Sequence, residues 1–331
     1  MQSYYKIMNQ NFPILPRPLI NSQNDIPKIA IVLIYAFFLI LLKDLKQEKS
    51  INYFKNEKIY FENYEANVFA EIKQKIEENN CSQMSMNERE FLNGIVRKFR
   101  PKKILELGVN KGGSSILILN AIKDINNSKL FSIDFISNRK IGECVRNYFP
   151  EFSRKWKLFT GHFANIFMEK IGNNIDLAFI DTSHLEPGEI LDFLIILPFL
   201  KENAIVIFHD IAIQLLSSKE RNEWSPYIIF NGIRGKKIFP SGKRLLTHNI
   251  GAIILENNQK KYYHDYFRLL GGQWQYFPKE IYIKSLRKYF KKYYDKDCLF
   301  MFEETVFFNR KIVKNNPKKN KYKPLILKIS D

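Results

Sequence analysis

Four short apolar segments of the chain each carry an acidic residue at or beside their C-terminal end. In an open α/β sheet, ligands bind beyond the carboxyl ends of the strands, so acids in these positions are candidates for binding and catalysis. A single acid of this kind is ordinarily a helix cap. Four in succession favour a shared site, and they are Glu106, Asp134, Asp181 and Asp210.

A glycine-rich turn lies in the first of these segments. Residues 104–115 read Ile-Leu-Glu-Leu-Gly-Val-Asn-Lys-Gly-Gly-Ser-Ser, an apolar strand that breaks into glycines where a helix begins. Such a turn lets backbone N–H groups approach a ligand, and the positive end of the helix dipole points to the same place. We therefore expect a nucleotide-like cofactor here. Asn110 stands where a dinucleotide fingerprint has its second glycine, which argues against a pyrophosphate.

The other three acids suggest two further roles. Asp134 lies at the next strand end, where a carboxylate can accept both hydroxyls of a cofactor ribose. If the strands that end at Asp181 and Asp210 are neighbours, the two carboxylates lie about 5 Å apart. Carboxylates that close repel each other unless a proton or cation lies between them, which favours a hard divalent ion such as Mg²⁺. His184 and His209 stand near these acids in the sequence and are candidate general bases.

The glycine turn resembles motif I of class I S-adenosylmethionine-dependent methyltransferases, written E-x-G-x-x-x-G-x-S in one branch. Residues 175–184 and 204–211 resemble the Methyltransf_24 branch, relatives of catechol-type and macrolide-sugar O-methyltransferases. The resemblance covers about 100–257 and implies a site for S-adenosylmethionine, with Glu106 facing the ammonium group of its methionine moiety. The cofactor-binding residues that it implies are Glu106, Gly108, Asn110, Gly112, Gly113, Ser114, Asp134 and Asp181.

The same resemblance implies a metal and an activity. In the metal-dependent relatives, the acids at the ends of the fourth and fifth strands hold Mg²⁺, which carries over to Asp181 and Asp210. The catechol type has Asn after the second acid, whereas this chain has Ile211, so the resemblance leaves the third ligand unidentified, with His209 as a candidate. The expected reaction is methylation of a hydroxyl group on a small molecule or glycan, with Asp181, His184 and His209 as catalytic residues. A nicotinamide-dependent oxidoreductase and a non-catalytic membrane-associated scaffold are the alternatives.

Short apolar segments alternate with helical ones from Lys103 onward, which predicts an α/β fold with a mostly parallel sheet and helices on both faces. An apolar segment at 250–255 suits a seventh, antiparallel strand, as in the Rossmann-like sheet of class I methyltransferases. The predicted organisation is an N-terminal segment at 1–50, a helical lead-in at 51–100, the cofactor-binding domain at 101–257, an aromatic and basic helical extension at 258–314 and a basic tail at 315–331.

Composition limits the class of protein. With 331 residues, 45% of them hydrophobic, the chain can bury a full core, which excludes disorder throughout. Three widely spaced cysteines, Cys81, Cys144 and Cys298, predict neither a disulfide nor a zinc site and favour a reducing compartment. The net charge of +18 is concentrated in the C-terminal part, and no base-reading module is apparent, so we do not expect nucleic acid as a partner.

An uninterrupted apolar run at 29–42 suggests contact with a membrane. Fourteen residues of helix rise about 21 Å, less than a hydrocarbon core of about 30 Å. The run therefore predicts either a tilted or interfacial anchor or a buried helix that contacts a partner. The first alternative makes the protein a cytoplasmic enzyme attached to the inner face of a membrane. A basic, aromatic helix around 282–293 would add a surface contact, unless its aromatic residues pack on the sheet.

Overall fold

The computed structural model describes residues 66–216, 223–240 and 248–315. The chain divides into two units, Met1–Glu57 and Lys58–Asp331, and all the described residues belong to the second. The apolar run at 29–42, the first part of the predicted lead-in and the tail at 316–331 lie outside the described residues. Within the described ranges, no helix is both long enough and apolar enough to cross a membrane.

Seven strands form one sheet in the described part of the chain. In chain order they are β1 (Lys103–Leu107), β2 (Lys129–Asp134), β3 (Trp156–Thr160), β4 (Ile175–Ile180), β5 (Leu200–His209), β6 (Gly235–Ile238) and β7 (Ile250–Leu255). Their order in the sheet is β3-β2-β1-β4-β5-β7-β6. Strands β1 to β5 pair in parallel, and β7 is antiparallel to both of its neighbours. This confirms the predicted fold class.

Helices cover the two faces of the sheet and extend from both of its ends. In chain order they are α1 (Ala66–Glu78), α2 (Met86–Phe99), α3 (Gly113–Ala121), α4 (Glu143–Tyr148), α5 (Met168–Ile171), α6 (Gly188–Ile196), α7 (Ile213–Leu216), α8 (Ser225–Gly232), α9 (Tyr263–Arg268), α10 (Glu280–Tyr293) and α11 (Lys296–Asn315). Short 3₁₀ turns lie at Pro150–Lys155, Ala164–Ile166, Leu197–Phe199, Gln259–Tyr262 and Leu269–Gly271.

The sheet is buried on both faces, as the continuous apolar character of β4 requires. Successive side chains of a strand point to opposite faces. Accordingly, Leu177 and Phe179 pack with the helices α1 to α4, whereas Ala178 and Ile180 pack with α6 and the C-terminal helices α9 to α11. The central strands are therefore held rigidly between two layers of helix.

The register of the parallel strands aligns their C-terminal ends. Leu107 pairs with both Ile133 and Ile180, and Ile180 in turn pairs with Phe208. The residues that follow these four positions consequently lie along one edge of the sheet. This alignment brings the strand-end acids of the sequence to a common place.

The basic, aromatic helix of the C-terminal extension packs into the core. The side chains of Ile283, Leu286, Tyr289 and Phe290 on α10 are buried, and the Tyr289 hydroxyl donates a 2.7 Å hydrogen bond to the carbonyl of Ile195 on α6. The aromatic stripe of this helix is thus part of the protein interior, and its lysines face outward.

The structure contains a disulfide between Cys81 and Cys144, so the expectation of no disulfide is wrong. The two Cα atoms lie 5.8 Å apart although 63 residues separate them in the sequence. Cys81 belongs to the loop between α1 and α2, and Cys144 lies in the first turn of α4. Only the tertiary fold brings them together, which is why their spacing carries no signal. Cys298 is free and buried.

We expect the disulfide to stabilise the fold mainly by restricting the unfolded chain. Closing a loop of this length is worth about 2–4 kcal/mol in unfolding free energy. A non-thiol reductant should therefore lower the thermal midpoint of the wild type, and Cys144→Ser should lower it without reductant. The midpoint can be measured by circular dichroism.

Two cysteine variants serve as controls. Cys144→Ser should no longer respond to the reductant, whereas Cys298→Ser should respond as the wild type does, because Cys298 forms no disulfide. A wild-type midpoint that is the same with and without reductant would contradict the prediction.

Candidate active site

A cavity of about 600 Å³ opens at the edge where the parallel strands end. Its size falls in the range of sites for small molecules and cofactors. Most of the residues predicted from the sequence line it, namely Gly108, Asn110, Gly113, Ser114, Asp134, Asp181, His184, His209 and Asp210. Glu106 and Gly112 are not among the lining residues.

Gly108 lies where the turn after β1 meets the end of β4. Its backbone is left-handed, with φ of +85°, and a Cβ atom placed on it would lie 1.8 Å from the carbonyl oxygen of Asp181. Gly108 also donates a 2.9 Å hydrogen bond to the carbonyl of Ile133. No residue with a side chain fits this conformation and this contact together. The glycine therefore lets the turn after β1 lie directly against the end of β4.

Asp134 holds the glycine turn in place. One oxygen of its carboxylate accepts hydrogen bonds of 2.9 and 3.0 Å from the backbone N–H groups of Val109 and Asn110, and the other accepts one of 2.8 Å from Ile136. These bonds fix Asn110 in a left-handed conformation, with φ of 49°. The Oδ1 atom accepts only the bond from Ile136 and keeps a lone pair, so the carboxylate can still accept a hydroxyl from a ligand.

Glu106 lies beneath the turn and not at the cavity surface, unlike the expectation that it faces the cofactor ammonium. Its side chain is fully buried, and it accepts hydrogen bonds from the hydroxyls of Ser114, Ser115 and Ser132, at 2.6, 2.6 and 2.5 Å. Burial raises the pKa of Glu106 to about 7, against the opposing effect of the three serines. The residue thus ties β1 and β2 to the start of α3.

The two other glycines of the turn serve the helix and its packing. Gly112 is the N-cap of α3. Gly113 faces the loop between α1 and α2, where an added Cβ atom would lie 2.5 Å from the carbonyl oxygen of Cys81. The lead-in loop therefore approaches the cofactor turn closely, and the disulfide at Cys81 holds it there.

Asp181, His184 and Asp210 form a compact cluster on the other side of the cavity. The Nε2 atom of His184 lies 3.0 Å from Oδ1 of Asp181 and 3.1 Å from Oδ2 of Asp210. His184 and Asp210 both have left-handed backbones, with φ of 59° and 56°. Asn249 donates a 2.6 Å hydrogen bond to the second oxygen of Asp210. Non-glycine residues in this conformation concentrate at functional sites, and here they aim two side chains at one point.

The carboxylates of this cluster change the pKa of the His184 imidazole. Burial alone lowers the pKa of His184, but the hydrogen bond and charge of Asp181, together with the charges of Glu189 and Asp210, raise it to about 9. Conversely, although burial opposes this, the charges of His209 and His184 hold the pKa of Asp181 well below its usual range. Near neutral pH His184 is therefore an imidazolium beside the Asp181 carboxylate.

The same three side chains fit a divalent cation. One ligand atom from each lies within 4.8 Å of the others. Two carboxylates and one imidazole are a suitable donor set for such an ion, and the nitrogen ligand favours Mn²⁺ or another transition ion over Mg²⁺. The geometry places His184, and not the expected His209, with the two acids as the third member.

His209 is buried and faces three carboxylates. Its Nδ1 atom lies 3.4 Å from both Asp181 and Asp210, and its Nε2 atom lies 3.6 Å from Glu88. Burial lowers the pKa of His209, but the charge of Asp181 and the other two acids raise it well above its usual value. Glu88 closes a capping box on α2 with Ser85. The Ser-x-x-Glu spacing predicts that cap, but nothing in the sequence links Glu88 to His209.

Two segments that carried no motif also line the cavity. They are the lead-in loop at 80–84 and part of the C-terminal extension at 276–279 with Tyr282. Asp192 on α6 also lines the cavity, and its carboxylate accepts a 2.8 Å hydrogen bond from the Thr182 hydroxyl. Burial, with the nearby charge of Glu189, raises the pKa of Asp192 to about 7.

The chain is similar to known proteins over part of its length. A family model described as a methyltransferase domain matches residues 105–211. No curated protein matches the sequence. Among solved structures, an O-methyltransferase from Bacillus cereus in complex with S-adenosylhomocysteine is 16% identical, with a TM-score of 0.42 over 57% of this chain and 91% of that one.

Two further structures are similar to the same extent. The O-methyltransferase TomG from Streptomyces achromogenes, in complex with S-adenosylmethionine, is 16% identical, with a TM-score of 0.42 over 58% of this chain and 91% of its own. A methyltransferase from Podospora anserina, bound to S-adenosylhomocysteine, is 14% identical, with a TM-score of 0.43 over 64% and 97%. Residues 105–211 of this chain therefore match a methyltransferase domain, and this segment holds the glycine turn and the acids Asp134, Asp181 and Asp210.

Proposed function

We propose that the protein transfers the methyl group of S-adenosylmethionine to a hydroxyl group of a small molecule or glycan. The observation that carries the proposal is the shape of one cavity. The turn held by Asp134 lies on one side of it, and the cluster of Asp181, His184 and Asp210 lies on the other. A donor on the first side faces an acid–base cluster on the second.

The donor half is assigned to the residues that line the turn. The backbone of Gly108 and Asn110 lies beside the cofactor, and Asp134 accepts its ribose hydroxyls while it holds the turn. Gly113 and Ser114 bring the N-terminus of α3 to the methionine moiety, where the helix dipole favours the carboxylate. Glu106 supports this half from below through its three serine hydroxyls.

The acceptor half must orient a hydroxyl group and remove its proton. Methyl transfer is an in-line displacement at the sulfonium carbon, so the acceptor oxygen has to be held in a near-attack position. A divalent ion on Asp181 and Asp210, with His184 as third ligand, would lower the pKa of a bound hydroxyl.

Two imidazoles are available to move the proton. A divalent ion on Asp181 and Asp210 would offset much of the negative charge that raises the pKa of His184. The ring would then return toward its neutral form, which can accept a proton or bind an ion. Where Asp181 and Asp210 alone hold the ion, the neutral His184 is the better-placed proton acceptor, because 22% of its side chain is exposed against 10% for His209.

We expect Asp134→Asn to weaken S-adenosylhomocysteine binding by about tenfold or more. The amide offers one acceptor oxygen where the carboxylate offers two, so it cannot keep the three backbone hydrogen bonds and the ribose contact. Isothermal titration calorimetry of the purified protein measures the change. Gly108→Ala should have the same effect, because its Cβ atom would overlap the carbonyl of Asp181.

Asp176→Asn is the matched control for Asp134→Asn. Asp176 also accepts two backbone N–H groups, those of Lys102 and Lys103, but at the opposite edge of the sheet. Its substitution should leave the affinity for S-adenosylhomocysteine unchanged. A wild type that binds NADH and not S-adenosylhomocysteine would favour the oxidoreductase alternative and reject the proposal.

We expect the acid cluster to bind Mn²⁺. Asp181→Ala and Asp210→Ala should each reduce Mn²⁺ affinity by on the order of tenfold or more, because each removes a charged ligand. Electron paramagnetic resonance of free Mn²⁺ reports the binding. Glu202→Gln is the control, since Glu202 is an exposed acid near the start of β5, away from the cluster. Equal Mn²⁺ binding by the wild type and both alanine variants would rule out the site.

A further inference from the structure

Three aromatic rings from different parts of the chain meet on the donor side of the cavity. Phe135 follows β2, Phe163 follows β3, and Tyr282 belongs to the first turns of α10. The ring centres of Phe135 and Phe163 lie 5.0 Å apart, and Tyr282 lies 5.4 and 4.8 Å from them, edge-on to both. All three side chains line the cavity. We refer to these three residues as the aromatic wall.

The aromatic wall adjoins the residue assigned to the cofactor ribose. Phe135 directly follows Asp134, and the turn that leads to Phe163 is tied to Asp134 by a 3.0 Å hydrogen bond from the N–H of Gly161 to its carbonyl. A nucleoside whose ribose binds the Asp134 carboxylate therefore presents its base to this part of the cavity. Aromatic faces are the surfaces on which bases of any kind stack.

Tyr282 is held in the wall by a rigid element. On the same helix, Ile283 and Leu286 are fully buried in the core. One turn further, the Ser285 hydroxyl accepts a 2.7 Å hydrogen bond from the side chain of Asn165, which is itself buried, 8% exposed, just beyond Phe163. The helix is therefore fastened to the loop after β3, and Tyr282 remains half-buried at the cavity.

We infer that Tyr282 contacts the adenine of S-adenosylmethionine, so that the C-terminal extension completes the cofactor site. The inference rests on the proposed function. Tyr282 lies outside residues 105–211, the segment that matches the methyltransferase family. The contribution of the C-terminal extension therefore comes from outside the matched domain. If Tyr282 contacts the cofactor, cofactor binding and the packing of α10 on the sheet stabilise each other.

Calorimetry with S-adenosylhomocysteine and with adenosine tests the contact. Tyr282→Ala should weaken both ligands by roughly five- to a hundredfold, the range measured for loss of one base–aromatic stack. Tyr282→Phe keeps the ring and should bind within about twofold of the wild type. Ile281→Ala is the matched control, since Ile281 precedes Tyr282 on the same helix and is 69% exposed.

The variants separate stacking from docking. Ser285→Ala removes the hydrogen bond to Asn165 and keeps the ring, so it should weaken the ligands less than Tyr282→Ala does. If Tyr282→Ala does not fold, hydrogen exchange of the wild type, measured with and without S-adenosylhomocysteine, tests the contact instead. Adding S-adenosylhomocysteine should then slow exchange in peptides that cover 276–290.

Two results would overturn the inference. One is an affinity of Tyr282→Ala for both ligands equal to that of the wild type, which would place Tyr282 in the acceptor half. The other is unchanged exchange at 276–290 on ligand addition. A wild type that binds no S-adenosylhomocysteine would instead reject the proposed function, so the two failures are distinguishable.

Discussion

The contact between Gly108 and the end of β4 is the constraint on which the site depends. The turn after β1 lies so close to the carbonyl of Asp181 that a single Cβ atom would overlap it. β1 pairs with β4, so the glycine turn and the Asp181 carboxylate follow adjacent strand ends. The two sides of the cavity are therefore positioned by the sheet itself.

The electrostatics of the site follow from the same crowding. Asp181, Asp210 and Glu88 surround two imidazoles in a partly buried region, so each carboxylate raises the pKa of a histidine, and the histidines lower the pKa of Asp181. Glu88 itself has its pKa lowered to about 2: burial opposes the shift, and His209 and the capping bonds of Ser85 outweigh it. The Nε2 atom of His184 lies beside the same two carboxylates that would hold a cation.

Both extensions of the sheet take part in the cavity. The lead-in loop is fastened to α4 by the disulfide and approaches Gly113, and the C-terminal extension is fastened to the loop after β3 by Asn165 and Ser285. The matched domain at 105–211 supplies the turn and the acids, whereas the two extensions supply much of the remaining lining.

Local pattern in the sequence was sufficient for the sheet and for most of the site. The alternation of apolar segments and helices, the glycine turn and the strand-end acids are features of neighbouring residues, so they determined the fold class and the position of Asp134, Asp181 and Asp210. The buried role of Glu106, the disulfide between Cys81 and Cys144, and the approach of Glu88 and Tyr282 to the cavity were decided only by tertiary structure. Each depends on which faces of different elements pack together, and such packing leaves no local trace in the sequence; Cys81 and Cys144, for example, are 63 residues apart.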